Sequence, residues 1–335
     1  MIAKVTSTAL HEQANSFYLK AFADYGMSAL FMFITAVCVF TPPLLFFKQI
    51  ASNTLYIMLA FLAVGFVFYL VRFERLMIVS FICCCVLCLH LKPSANKQMR
   101  LAPVSANPSL SVSHISLGNA ENNYDSVVNY LLGLDADLLS FQELTPDWNA
   151  ELTKRLSEKY QYVSTMTRLD QYGMGFFSKL PFETIDTIYF KDIPNLTCSV
   201  LLAPDTECHL ISCQLVPPVN QAAFSVIEKH FAYLTDYMQQ LGSNVIVLGD
   251  LHLPPWDSEV QKFKDISRLQ DSRRDINPRN VDGSMSLPRI PVEHIFFCDQ
   301  FECTSFSELG NVTIGRVGIT GTYQLQEYGQ LGATQ

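Results

Sequence analysis

Two apolar runs in this sequence each end in a carboxylate. Asp137-Leu138-Leu139-Ser140-Phe141-Gln142-Glu143 delivers Glu143, and Val245-Ile246-Val247-Leu248-Gly249-Asp250-Leu251-His252 delivers Asp250. A carboxylate held at the mouth of a sheet, on a rigid element, is well placed to face a hard divalent cation. The plainer alternative is that Asp250 only caps the turn into Pro254-Pro255. The repeat of the same layout at Glu143 favours the metal-directed reading.

The elements that position these residues follow from the pattern. Four consecutive apolar residues before Gly249 leave no solvated face, so the run reads as a buried strand. Val112 to Leu117 and Asp137 to Phe141 read as strands, with a helix over Tyr124 to Leu134 between them. Pro146 and Asp147 open a second helix running to Tyr160, with Trp148, Leu152 and Leu156 spaced four apart. Further strands are expected over Gly173–Ser178, Thr184–Phe190, Cys198–Leu202, Cys208–Leu215 and Glu293–Phe297, and a long helix over Ala222–Leu241. Residues 257–290 read as polar and irregular, with Arg273, Arg274, Arg279 and Arg289 on a solvated face. Mixed helices and strands over residues 111–335 predict a layered α/β sandwich.

The N-terminal part differs in kind. Of 335 residues, 49% are hydrophobic and only 16% charged, and mean hydropathy is +0.20, high for a purely soluble chain. After a polar segment, 1–25, three apolar stretches occupy 26–91: Met27 to Phe47, Leu55 to Val71 and Leu76 to Leu91. Each approaches the length that crosses a bilayer as a helix. Arg72 and Arg75 in the turn between the second and third stretches favour a cytoplasmic turn, which puts the C-terminal domain outside, in the periplasm of a bacterium with the spans in its inner membrane. Lys92, Lys97 and Arg100 pull the other way. Residues 92–110 read as a Pro-bearing linker.

The net charge of −8 and pI near 5.4 argue against nucleic acid as a partner, which needs a basic stripe. Five of the 10 cysteines fall in the apolar region, and the other five show no metal-binding spacing. Cys208 and Cys213 could pair in an oxidising compartment, a point the sequence leaves open. His114, His230, Trp148 and Trp256 read as core or rim residues rather than ligands or stacking platforms.

With these pieces in order, residues 110–325 resemble the endonuclease/exonuclease/phosphatase superfamily, the fold of DNase I and exonuclease III, and most of all its bacterial membrane-anchored members. The resemblance rests on five stretches. Ala136–Glu143 is similar to the family's D-hydrophobic-Q-E motif, Tyr172–Pro181 to G-x-x-hydrophobic-S-x-x-P, and His209–Leu215 to T-H-hydrophobic. Val247–His252 is similar to G-D-F-N, and Pro291–Phe296 to I-D-H-I-F. The resemblance implies two central mixed sheets flanked by helices, and metal-assisted attack of water on a phosphoester with Mg²⁺ or Mn²⁺ as cofactor. It assigns Glu143 and Asp250 to the metal, and Asp250, His252, Glu293, His294 and Gln214 to the catalytic positions.

Several positions depart from the family's pattern. Gln214 stands where the family has a histidine, and an amide is no proton acid or base near neutrality. His252 replaces asparagine, and Glu293 replaces aspartate with a longer reach. The family's first asparagine aligns with either Ser116 or Asn119. The closing G-S-D-H-x-P has Gly318-Ile319-Thr320-Gly321-Thr322-Tyr323 as its best counterpart, with Thr320 and Gly321 in the Asp and His positions. The expectation is a membrane-anchored domain that has lost hydrolysis and acts as a binding or assembly module, with a protein partner. The alternative is a phosphoesterase with a rewired site, Mn²⁺ or Zn²⁺ in place of Mg²⁺, acting on a lipid headgroup or phosphorylated small molecule.

Overall fold

The computed structural model describes residues 24–94, 96, 98, 100–120, 124–242, 244–274 and 288–326. The polar segment before Asp24, and Arg279, lie outside the described residues. The chain divides into two compact units, residues 1–93 and 94–335.

The described part of the first unit is helical: α1 (Asp24–Phe40), α2 (Leu45–Ser52), α3 (Thr54–Leu70) and α4 (Glu74–Leu91). The stretch expected as one span from Met27 to Phe47 is instead two helices, α1 and α2, bent by 93° at the break. Pro42 and Pro43 supply no backbone N–H and clash with the preceding turn, so the helix stops there. Thr41 turns the corner with φ of 40°. Among the described helices α4 alone is long and apolar enough to cross a membrane by itself, and α3 with 17 residues falls just short. The helices α3 and α4 pack closely: Gly65 sits against the Phe81 ring, and the Ser80 hydroxyl donates to Phe61 O at 2.7 Å.

The second unit is a four-layer sandwich. One sheet has the order β11-β12-β1-β2-β4-β3 and the other β5-β6-β7-β8-β10-β9. The first comprises β1 (Ser109–Ser116), β2 (Leu138–Gln142), β3 (Tyr162–Met166), β4 (Met174–Ser178), β11 (Phe301–Asn311) and β12 (Gly315–Leu325). The second comprises β5 (Phe182–Phe190), β6 (Ile193–Ala203), β7 (Thr206–Cys213), β8 (Val245–Asp250), β9 (Gln270–Asp271) and β10 (Glu293–Phe297).

Each sheet has one parallel pair at its centre, β1 with β2 and β7 with β8. A parallel pair needs a crossover, and α5 (Tyr124–Gly133) and α7 (Gln221–Leu241) provide the two. Together with α6 (Pro146–Leu156), α5 buries the outer face of the first sheet through Val127, Val128, Leu131, Trp148 and Leu152. On the other side α8 (Ser258–Ser267) joins α7 over the second sheet, with Phe263 stacked on Phe231 and edge-on to Phe296. Where the two sheets face each other polar contacts recur: Ser140 donates to Ser212 at 3.2 Å, and Ser272 and Tyr323 hydroxyls meet at 2.7 Å.

Two stretches differ from the sequence expectation. The segment read as a free linker is tied along the edge of the first sheet by Ala102 N–H to Cys303 O and by Gln324, whose amide binds both Pro103 O and Ser105 N–H. Within the region read as irregular stands α8, capped by the Asp257 carboxylate accepting from Glu259 N–H at 2.8 Å. All 10 cysteines are free thiols, so Cys208 and Cys213 do not pair.

Candidate active site

Parallel strands that run the same way deliver their carboxyl ends to one rim, the usual ligand-binding end of an α/β sheet. Here β1 ends at Ser116, β2 at Gln142 with Glu143 beyond it, β7 at Cys213 with Gln214 beyond it, and β8 at Asp250. Antiparallel β10 and β12 bring their first residues to the same rim, since Glu293 pairs with Asp250 and Ile115 with Gly318.

Glu143 leaves β2 with φ of 58°, a conformation uncommon for a side-chain-bearing residue and typical of sites that must aim a group. Its Oε1 accepts from the Ser116 hydroxyl at 3.2 Å, so Ser116 is the residue that β1 brings to Glu143. A Cβ on Gly118 would fall 2.1 Å from Glu143 Oε2, so a side chain there would push the Glu143 carboxylate out of its present position. Glu143 also lines a groove of about 510 Å³ walled by Tyr124, Trp148, Asp147 and Asp170.

The neighbouring Gln142 stitches three strand ends together. Its amide donates to Cys213 O at 2.9 Å and its carbonyl accepts from Asp250 N–H at 2.9 Å. This close approach requires Gly249, with φ of 149°, because a Cβ there would sit 1.8 Å from Cys213 O. Asp250 is 8% exposed. Its Oδ1 accepts from the backbone N–H of His252 at 2.8 Å and lies 3.3 Å from His252 Nδ1. The carboxylate thus caps the turn and also faces an imidazole. His252 holds φ of 53°, and its Nε2 is shut from solvent with no hydrogen-bond partner. Gln214 is fully buried, and neither of its amide atoms is hydrogen-bonded.

His294 does not join them. Successive residues of a strand face opposite ways, and Glu293 takes the face turned to the other sheet. His294 turns instead toward the helix layer, stacked on Phe296 and 1% exposed. Its Nδ1 lies 2.8 Å from Asp271 Oδ2 and its Nε2 2.9 Å from Leu253 O. Both ring nitrogens are engaged by neighbouring oxygens, so neither is open to a substrate. Burial would raise the Asp271 carboxyl, but His294, Lys264 and Arg273 hold it below the usual range.

Thr320 and Gly321 also lie elsewhere than the sequence alignment put them. They pair with Ser113 and Val112 in the middle of β12, where the Thr320 hydroxyl meets Ser113 Oγ at 2.8 Å. What β12 brings to the rim is Arg316. Its Nη2 donates to Glu293 Oε2 at 2.6 Å, and its Nε lies 3.3 Å from Glu308 Oε1. Arg273 Nη1 reaches the same Glu308 oxygen at 3.5 Å, with its guanidinium over the Phe306 ring. Burial pushes the Glu293 carboxyl up, Arg316 pulls it back, Asp250 adds to the rise, and the net shift is upward. Sequence reading missed Arg316, Glu308 and the Asp271–His294 pair.

A divalent cation at this cluster would need carboxylate oxygens about 2.0–2.6 Å away. The Glu293 oxygen is already taken by a guanidinium, and among the described residues no three His, Cys, Asp or Glu side chains come together to hold a metal. The cluster around Glu293 therefore does not fit a resident divalent ion.

Comparison with known proteins places this geometry. The profile of the Endonuclease/Exonuclease/phosphatase family matches residues 115–314. No protein of curated function matches by sequence. Among solved structures, an endonuclease/exonuclease/phosphatase from Beutenbergia cavernae superposes with a TM-score of 0.55 at 14% identity, covering 65% of this chain and 72% of that one. TDP2 of D. rerio complexed with a single-strand DNA product gives 0.52 at 17% identity, covering 64% and 99%. A family protein from Bacteroides thetaiotaomicron gives 0.50 at 13%, covering 67% and 100%. At these identities the likeness is one of fold.

Proposed function

Because the chain belongs to the endonuclease/exonuclease/phosphatase family, we propose that its second unit keeps that fold as a membrane-tethered binding or assembly module for a partner protein and no longer hydrolyses phosphoesters. The observation that carries this reading is Arg316 bound to Glu293 at 2.6 Å. A guanidinium is never a proton acceptor in a protein, so Arg316, the second residue of β12, cannot activate water. Gln214 adds an amide where the resemblance implies a histidine, and His294 faces away from the rim. The exposed apolar residues of the first unit, among them Phe40, Leu70 and Leu89, support the tether.

One observation favours a second reading. Asp250 faces His252 Nδ1 at 3.3 Å, and an imidazole oriented by a carboxylate becomes a general base once its Nε2, shut from solvent here, opens to water or substrate. In that reading the unit is a phosphoesterase with a rewired site, acting on a lipid headgroup or phosphorylated metabolite.

Hydrolysis of bis(p-nitrophenyl) phosphate and p-nitrophenyl phosphate by the full chain in detergent micelles separates the two, with Mg²⁺, Mn²⁺ and Zn²⁺ added in turn. No turnover above buffer is expected with any of the three. Turnover that disappears in Glu143→Gln and His252→Asn would establish the phosphoesterase instead.

A further inference from the structure

Asp250 and Glu293 sit directly across from each other on β8 and β10, on the face turned to the other sheet. Like charges opposite one another on paired strands repel, and burial sharpens the repulsion. Glu293 is 1% and Asp250 8% exposed, so water screens them little. A cation beside them relieves that repulsion.

The chain supplies one, and the fold is built to aim it. Along β12, Leu309 of β11 pairs with Gly318 and the next residue, Gly310, pairs with Arg316. Val317 is the extra residue of a β-bulge, a device that re-aims side chains beside sites. Val317 packs into the cluster under α5 and α6, so Arg316 on its other side faces the opposite sheet. Gly310 has φ of 145°, and a Cβ there would lie 2.0 Å from Gly315 O, which ties the bulge to glycine. The guanidinium then spans from Glu293 to Glu308, and Arg273 closes the chain at Glu308. The side chains of Glu293 and Arg273 are 2% and 4% exposed and those of Arg316 and Glu308 16% and 26%, so the network runs from the buried carboxylate out to a partly solvated end.

We infer that Arg316 is the built-in counter-ion of the Asp250–Glu293 pair, and that this pair takes a divalent cation only when the guanidinium is removed. The inference extends the non-hydrolytic reading of the same site by naming what occupies it. Ion and guanidinium compete for the Glu293 Oε2 atom, and the guanidinium, being tethered, is always present at high effective concentration.

Mn²⁺ alone is the probe. The full chain in micelles is titrated with MnCl₂, and free Mn²⁺ is followed by its electron paramagnetic resonance signal. Arg316→Met is expected to bind one more Mn²⁺ per chain than the wild type, and Arg316→Met/Glu293→Gln to lose that extra ion. Equal binding by wild type and Arg316→Met would overturn the inference. Should Arg316→Met fail to fold, Glu293→Gln in the wild-type background decides: unchanged Mn²⁺ binding supports the counter-ion, and reduced binding overturns it. Any ion held at Glu143 is common to all these proteins and cancels. The two proposals fail separately. Glu293-dependent Mn²⁺ binding by the wild type without hydrolysis sinks only the counter-ion, and hydrolysis without such binding sinks only the inactive reading.

Discussion

His114 stands on β1 facing the other sheet, fully buried, with neither ring nitrogen hydrogen-bonded. Burial drives its pKa from 6.5 to about 3, and the nearby Arg316 and His294 push the same way. Burial likewise takes His230 of α7 to about 4, with Nε2 2.9 Å from Asn195 Oδ1. Below pH 6.5 the unfolded chain binds protons that the folded chain refuses, so stability falls as pH drops toward these folded values. At about 1.4 kcal/mol per unit, each ring costs on the order of 2 kcal/mol between pH 7.5 and 5. The thermal midpoint of the full chain is expected to drop accordingly over that range, and His114→Leu to show a smaller drop. An equal drop in wild type and variant would mean that the His114 ring is open to protons in the fold. Types and spacing pointed to Glu143, Asp250 and His252 because strand-ending carboxylates leave a local signature. Arg316 left none, since its direction is set by a bulge whose partner residues lie on another strand.

At the scale of the element, α6 carries Trp148 into the core beside Glu143, and its first turn fixes where that rim begins. Thr145 caps it, the hydroxyl accepting from Trp148 N–H at 3.3 Å, and Pro146 fills the first helical position where no N–H is needed. Thr145→Ala is expected to cost about 1 kcal/mol, measured as a shift of the denaturation midpoint at constant slope. No shift would show that the cap is made by the chain geometry alone. The start of this helix was legible from Pro146-Asp147, as were α5 from its helical period and β8 from its unbroken apolar run. The sequence reading placed the end of α6 at Tyr160, but the helix stops at Leu156 and Tyr160 buries its ring under the sheet. Helix α8 was missed although Asp257 is a good cap, because Val260 and Phe263 are its only fully buried apolar residues in an otherwise charged run. The long β11–β12 hairpin was missed as well. Its faces mix Ser, Thr, Glu and Gly, so alternation that depends on which sheet covers each face cannot be read locally.

The whole molecule joins two units with opposite surfaces. The second unit buries most of its apolar residues between sheets and helices and exposes only scattered ones such as Leu169 and Val312. The first displays them: Phe40 is 80%, Leu70 77% and Leu89 70% exposed, along with Phe33, Phe46, Phe66 and Ile82. Neither α3 nor α4 has a polar face, so no rotation of either helix would hide these side chains from water. Exposed apolar surface on this scale is removed from water at about 25 cal/mol per Å², and a bilayer is the surface that covers all sides of a helix at once. The full chain is therefore expected in the membrane fraction, to stay there through alkaline carbonate, and to leave only with detergent. Release by carbonate alone would mean that a protein surface covers these helices instead. Arg72 and Arg75 flank the α3–α4 turn, and basic residues are retained on the cytoplasmic side. If that turn stays inside, α4 carries the second unit out, and a C-terminal reporter that matures only outside the cytoplasm should be active. Activity of a cytoplasm-only reporter at the same position would give the opposite orientation, with Lys92 and Arg100 in place of the two arginines as the retained charges.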